Sequence, residues 1–344
     1  MFAKDIKNDI KKCSRCALCV QNCPIYDIKK DENNTSRGLI CKLNGYYDGQ
    51  LSEDDIKKDF KICLNCSKCK TNCPSGVDTS YIFAYKNAQL SPSKISQRVL
   101  LGLKLLPVKI LYILNCLSKK PKKIESDILY FKGCVARAQH KITLLDNLFK
   151  TPQFLCCGLP YLTSGDIKNY NKVKKQNIEL IKNAKKVVFD CASCKAAILE
   201  YPELNLSDKK KLVFFQELLD NKYKLKNNSK YKKITFHKPC HMSKYDFLQI
   251  EKFLKNIEGI TYIPLENPEQ CCGFGGSYFV FHPVISSLIA LKKAKSIKKI
   301  TPDLILTACP SCTMGLRYNQ LISGQFRKTL ELRDFIECEL IAKS

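Results

Sequence analysis

At 344 residues and 45% apolar content the chain has room for two or three domains with cores of their own, which excludes wholesale disorder. It carries 58 basic against 32 acidic residues, a formal net charge of +26, and 21 cysteines. It opens MFAKDIKNDIKK with no apolar signal-peptide core, so a small secreted disulfide scaffold is excluded and the thiols are placed in a reducing cytoplasm as ligands.

The first predicted element is a cysteine run that occurs twice, fifty residues apart. Cys13, Cys16, Cys19 and Cys23 precede Pro24; Cys63, Cys66, Cys69 and Cys73 precede Pro74. This CxxCxxCxxxCP spacing holds [4Fe-4S] clusters in bacterial two-cluster ferredoxins, where the fourth cysteine of each run serves the other cluster. The expected sets are therefore Cys13, Cys16, Cys19 and Cys73 on one cluster, and Cys63, Cys66, Cys69 and Cys23 on the second. Zinc in a four-thiolate site is the alternative, disfavoured by three cysteines at so tight a spacing. Between the runs, Ser52 caps a helix whose first turn is Glu53, Asp54 and Asp55, with Ile56 and Phe60 on one face. Residues 1–95 thus read as a helical dicluster domain, in which the solitary Cys41 is a small buried residue.

Residues 96–125 form an apolar, basic linker helix. Its core, Val99 to Leu117, is broken by Lys104, Pro107 and Lys109, so no eighteen-residue apolar span exists. It packs between domains or, alternatively, rests on the inner face of the cytoplasmic membrane. Lysines elsewhere are scattered on solvated faces, and neither helix-turn-helix punctuation nor a C2H2 finger accompanies them, so no specific nucleic-acid partner is expected. The basic surface suits docking to an acidic protein or a membrane.

From residue 126 the pattern changes to short β-rich runs, each ending at a cysteine. Ile128 to Phe131 leads to Cys134, Val187 to Phe189 to Cys191, Ile234 to Phe236 to Cys240, and Leu304 to Leu306 to Cys309. Helices at Asn171 to Lys186 and Pro283 to Lys299 separate them, the latter with Val284, Leu288 and Leu291 on one side. Alternating strands and helices imply parallel α/β units with ligands at the carboxyl ends of the strands. The region is duplicated, 126–228 and 229–344, and each copy reads C, CCG, CxxC. Copy one carries Cys134, Cys156, Cys157, Cys191 and Cys194; copy two carries Cys240, Cys271, Cys272, Cys309 and Cys312. Copy one has 21 residues between its first cysteine and its CC pair, copy two 30. Five thiolates exceed what one zinc or one cubane takes, so one or two further iron-sulfur or zinc centres are expected, with copy two the better candidate.

In this order the motifs resemble the iron-sulfur subunit of glycolate oxidase and its relatives. These include the corresponding subunit of anaerobic glycerol-3-phosphate dehydrogenase, lactate-oxidation iron-sulfur proteins and heterodisulfide reductase subunits, all with cysteine-rich CCG domains. SRGLI, CPSGVD, KGCV, the KPCH ending at His241 and the CCGFGGSY starting at Cys271 carry the likeness across nearly the whole chain. The resemblance implies a multidomain α and α/β protein: a helical two-[4Fe-4S] ferredoxin domain followed by two tandem CCG domains, with non-cubane clusters as one form of the further centres. It implies an electron-transfer subunit of a flavin-dependent 2-hydroxy-acid dehydrogenase, glycolate leading, that takes electrons from an FAD-containing partner subunit towards the quinone pool. Two alternatives stand beside it: a heterodisulfide reductase-like subunit acting on a thiol/disulfide pair, and a non-catalytic basic iron-sulfur protein that binds nucleic acid. No GxGxxG follows a strand, so no flavin is expected on this chain, and no catalytic residue of its own is assigned. The GFGG glycines, Gly273 to Gly276, bring backbone N–H groups to a cluster. His241 either tunes a cluster or caps a helix, whereas His140, His237 and His282 read as ordinary polar residues. Cys116 and Cys338 pack in helices, and Tyr278 and Phe281 are core or cluster shielding.

Overall fold

The computed structural model describes residues 6–90, 124–139, 143–152, 155–219, 225–275 and 278–342. Val99 to Leu117, Cys116 and His140 lie outside these residues. No helix among the described residues is long and apolar enough to cross a membrane.

The first region is helical. Ser52 caps helix Glu53–Lys61 through a reciprocal capping box with Asp55. Ile56 and Phe60 are buried against Leu39, Leu43, Ile82 and Phe83 from helices Ser36–Tyr47 and Thr79–Leu90. Cys41, expected inside, is exposed, because Ser36–Tyr47 buries the face of Leu39, Ile40 and Leu43 instead.

The second region is two α/β units. In copy one, β1 (Ile128–Phe131), β2 (Lys186–Phe189) and β3 (Leu212–Phe214) form a parallel sheet in that order. A single parallel bridge from Leu129 to Lys150 marks its far edge. A short strand β4 (Leu225–Asn227) connects onward to copy two, whose sheet contains β5 (Lys233–His237), β6 (Thr261–Tyr262), β7 (Leu304–Thr307) and β8 (Lys328–Glu331). All pair in parallel, in the order β6-β5-β7-β8. The C-terminal strand β9 (Leu340–Ala342) returns antiparallel to β4. Both sheets share one continuous apolar core, to which Ala84 and Ala88 of the first region also contribute.

The CCG glycines are fixed by geometry. Gly158 and Gly273 have φ of 77° and 83°, and a Cβ would lie 2.8 Å from Tyr170 Cδ2 in the first case and 2.5 Å from the Ser286 carbonyl oxygen in the second. Only glycine combines that φ with so close a helix. The helices behind them run Ile167–Asn183 and Pro283–Ile300, the first beginning earlier than its apolar period indicates because Asp166 caps it at Asn169 N–H. Helix Pro283–Ile300 buries the opposite face from the expected one: Val284 and Leu288 are exposed, while Ser286, Ile289, Ala290, Lys293 and Ala294 pack inward. Ser286 and Ala290 admit the CCG turn, and Val284 and Leu288 are left exposed.

The copies join at their CxxC motifs. Ala192 N–H donates to the Ala308 carbonyl at 2.8 Å, linking the residue after Cys191 to the one before Cys309. Beside this seam Tyr130 donates to Asp190 at 2.5 Å, and Arg333, from the last helix, donates to both. This buried Arg–Asp–Tyr network spans the two copies.

Candidate metal centres

The strand ends deliver the cysteines. Each CxxC begins where a parallel strand stops, and a helix starts at once, Ala192–Leu199 after Cys191 and Pro310–Ile322 after Cys309. First-turn N–H groups and two thiols therefore face the same space.

Three cavities lie in a row. One is lined by Cys13, Cys16, Cys19, Cys73 and Cys69, and holds about 400 Å³ of empty space with its mouth included. The next, about 430 Å³, is lined by Cys23, Cys63, Cys66 and Cys69. Cys69 thus stands between them. The third, about 1010 Å³, is lined by Cys66 again and by nine of the ten CCG cysteines, Cys156 being absent from its wall. Cys66 stands between the second and the third.

The backbone around the first two cavities is held in a repeated, costly shape. Arg15 and Ala17 in the first run, and Asn65 and Ser67 in the second, have φ between 52° and 64°. Non-glycine residues reach this left-handed region only at a cost of order 1–3 kcal/mol each. It recurs at the same two positions of each CxxCxxC loop, and it curls the loop so that N–H groups and sulfurs converge, as in an anion nest. Asn65 N–H and Val77 N–H reach the Cys63 and Cys73 sulfurs at 3.4 Å, and Thr79 Oγ1 donates to Cys69 at 2.9 Å. These loops fit an iron-sulfide cube better than free thiols, which give no return for the strain.

The ten CCG thiols, nine of them in the wall of the third cavity, form an unbroken series across both copies. Cys134 meets Cys156 with sulfurs 4.0 Å apart, Cys156 meets Cys157, and Cys157 meets Cys194. Cys194 meets Cys191, which meets Cys309 across the seam. Cys309 meets Cys312, Cys312 meets Cys272, and Cys272 meets Cys271, which meets Cys240. Donation from Cys134 and Cys157 lowers the Cys156 thiol to about 3, and donation from Cys271 and Cys312 lowers Cys272 to about 5. Contact with Cys156 pushes Cys134 up, contact with Cys272 and Cys309 pushes Cys312 up, and contact with Cys271 pushes Cys240 up, burial adding to each. Donation from Cys191 and Cys312 also holds Cys309 well below the ordinary thiol value, so without metal copy one favours a thiolate at Cys156 and copy two at Cys272 and Cys309. Bound metal cations compensate the remaining thiolates, so the donor set suits such ions.

Second-tier contacts tie the third cavity to the second. His241 Nε2–H donates to the Asn65 carbonyl at 2.8 Å, and Nδ1 accepts from Ser193 Oγ at 3.0 Å. Ser193 Oγ also lies 3.6 Å from Cys309 Sγ. His241 is not a helix cap; Ser243 caps Lys244–Lys255 by accepting from Asp246 N–H. Gly273 N–H reaches Cys271 Sγ at 3.3 Å, as expected of the glycines after CC. Tyr278 is buried beside Cys271, whereas Phe281 and Cys338 are exposed.

Two residues of this site are not legible in the sequence: His237 reads there as an ordinary polar residue and Lys293 as a solvated one. His237, the last residue of β5, is fully buried, and one of its ring nitrogens and the sulfurs of Cys272 and Cys312 all lie within 4.8 Å of one another. The Pro268 carbonyl faces the ring, but neither nitrogen is in hydrogen-bond geometry with any partner. Lys293 is also fully buried, bonded among the described residues to the carbonyls of Asn267 and Pro268 at 3.0 and 3.3 Å. Burial lowers its pKa to about 8 against the opposing pull of Cys272, Cys240 and Cys271.

A helical dicluster domain docked on two cysteine-rich α/β units with their thiols in register defines an iron-sulfur electron-transfer protein. A 4Fe-4S dicluster domain matches residues 9–77, and a cysteine-rich domain, CCG, matches 128–199 and 234–317. Lactate utilization protein A of Shouchella clausii is 33% identical over 177 residues, 47% of this chain and 74% of that protein. The protein of the same name from Bacillus pumilus is 31% identical over 188 residues, 48% of this chain and 77% of its own. A fumarate reductase (CoM/CoB) subunit of Methanothermobacter marburgensis is 28% identical over 170 residues, 47% of this chain and 34% of its own length. The chain belongs to the CCG-domain family of iron-sulfur proteins.

Proposed function

We propose that this chain is the iron-sulfur subunit of a flavin-dependent 2-hydroxy-acid dehydrogenase, receiving electrons from an FAD-containing partner and handing them on towards the quinone pool. Cys13, Cys16, Cys19 and Cys73 hold one [4Fe-4S] cluster, Cys63, Cys66, Cys69 and Cys23 the second, and the CCG cysteines one or two further iron-sulfur centres. When bound, such clusters accept and release one electron at a time, which a two-electron flavin needs from its acceptor. The observation that carries this reading is the row of three cavities that share Cys69 and then Cys66 in their walls. The chain's own residues exclude water with Leu64, Ile25 and Tyr278 between the second and third cavities. They also aim N–H groups at the sulfurs, which raises the potential of any cluster held there.

Glycolate is the first substrate to test, and the names of the relatives make lactate the second. Affinity purification from native extract, followed by anaerobic addition of either acid, checks the assignment. A co-purified flavoprotein and bleaching of the iron-sulfur absorption on substrate addition are expected; neither, with intact clusters, refutes it.

A second reading has one observation in its favour. The third cavity is wide, partly open and walled by thiols of both copies, so a disulfide substrate can enter it. Disulfide reduction by the dithionite-reduced chain, with no response to 2-hydroxy acids in the presence of the flavoprotein, selects this reading.

A further inference from the structure

The two copies were built from one plan, yet three equivalent positions on one face of the sheet differ between them, while Val187 and Ile305 on that face stay apolar. Counting back from the first cysteine of each copy, and from the first of each CxxC, Leu129, Phe131 and Phe189 of copy one stand where copy two has Thr235, His237 and Thr307. Strand alternation and parallel register put each trio on one face. In copy one the three side chains are apolar and buried, with Phe131 stacked on Phe189 at 5.2 Å. In copy two all three are polar and fully buried, and Thr235 Oγ1, Thr307 Oγ1 and both nitrogens of His237 have no partner in hydrogen-bond geometry among the described residues. Lys293, a buried cation that feels the field of Cys272, Cys240 and Cys271, is bonded to the Asn267 and Pro268 carbonyls and meets no carboxylate among the described residues.

An imidazole with two unpartnered nitrogens, beside two thiols and a buried ammonium, is the arrangement of a ligand set rather than of a core. We propose that copy two holds its iron-sulfur centre through a ring nitrogen of His237 as well as through its thiolates, Cys272 and Cys312 nearest, while copy one offers sulfur alone. Imidazole and thiolate are both competent iron donors, and replacing a thiolate by a neutral imidazole raises the potential of a cluster. The ammonium of Lys293 acts in the same direction as a fixed positive charge. Copy two is therefore the higher-potential, electron-accepting end of the cavity. This rests on the reading that CCG cysteines hold iron, and the experiment separates the two.

Protein labelled with ¹⁵N at histidine only is prepared anaerobically as wild type, His237→Phe, His237→Gln, Cys157→Ser/Cys194→Ser and Cys272→Ser/Cys312→Ser. Iron, zinc and inorganic sulfide are counted, and pulsed EPR is recorded in the reduced and oxidised states. The proposal expects a ¹⁵N coupling of directly bound strength in wild type. It is lost in both His237 variants and in Cys272→Ser/Cys312→Ser, and kept in Cys157→Ser/Cys194→Ser. His237→Phe, which copies the residue of copy one, is expected to lose at least half of the copy-two iron while the dicluster signals persist. Iron above the dicluster complement that falls in Cys272→Ser/Cys312→Ser, with no ¹⁵N coupling in wild type, overturns His237 ligation and leaves the iron reading standing. No iron above that complement overturns both, and zinc lost in the same variants replaces iron by zinc as the metal of the site.

Discussion

The two CCG copies share a chain plan, a glycine-locked CC turn and a five-thiol set, and they diverge in what surrounds the sulfur. Copy one closes its sheet face with Leu129, Phe131 and Phe189 and shortens its outer edge to the Leu129–Lys150 bridge. Copy two keeps a true edge strand and leaves three orphaned polar groups and a buried lysine at the equivalent face. Each unsatisfied buried polar group costs about 1–3 kcal/mol. Three together approach the net stability of a domain, a cost that the proposed ligand at this face would offset. Repetition preserved the sulfur ligands, and the difference lies in the groups that tune them.

The largest expected effect tests whether the copies act as one body. Arg333→Met removes the ion-pair partner of buried Asp190 at the seam, leaving it only the Tyr130 hydroxyl among the described residues, and is expected to cost about 3–5 kcal/mol of stability, read by anaerobic denaturant titration. Unfolding of copy two alone, with copy one intact, would break the claim that they share a core. Phe131→His gives copy one the residue of copy two. Without the polar surroundings it loses the Phe189 stack and buries an unpaired imidazole, about 2–4 kcal/mol in all. A neutral outcome would mean that copy one accommodates nitrogen as copy two does.

Smaller effects sharpen the comparison. Gly158→Ala and Gly273→Ala each force a side chain into the left-handed region at roughly 1–3 kcal/mol. The second is expected to be the worse, since its Cβ meets the Ser286 carbonyl where the first meets the edge of the Tyr170 ring. Equal losses would contradict the tighter helix contact in copy two. Lys293→Met removes one charge near the copy-two thiolates. It is expected to lower the potential of the centre there by the equivalent of about 1–4 kcal/mol, seen in an anaerobic redox titration. An unchanged potential would place Lys293 outside the influence of the centre.

The cysteines were legible because ligand spacing is a local property. CxxCxxC and CCG survive any reading of the fold, and the strand that ends at each CxxC announced itself by β-branched and aromatic runs. The capping box at Ser52 and the buried pair Ile56 and Phe60 were legible for the same reason. His237 was not, since a single histidine in the apolar run ITFH carries no spacing, and its neighbours Cys272 and Cys312 are distant in sequence. Lys293, inside LKKAKSIKK, looked like its solvated neighbours; only the helix phase buries it, and that phase follows the small residues Ser286, Ala290 and Ala294 rather than the leucines. The joining of both thiol sets at Cys191 and Cys309 depends on how two domains dock, which no local pattern encodes.

The account depends most on metal in all three cavities. The direct measurement is iron and inorganic sulfide per chain in protein purified under strict anaerobiosis. Clearly more than about eight irons, with sulfide to match, is the predicted result, since two cubanes alone account for that number. Eight or fewer, with all CCG thiols free to alkylation, would contradict it.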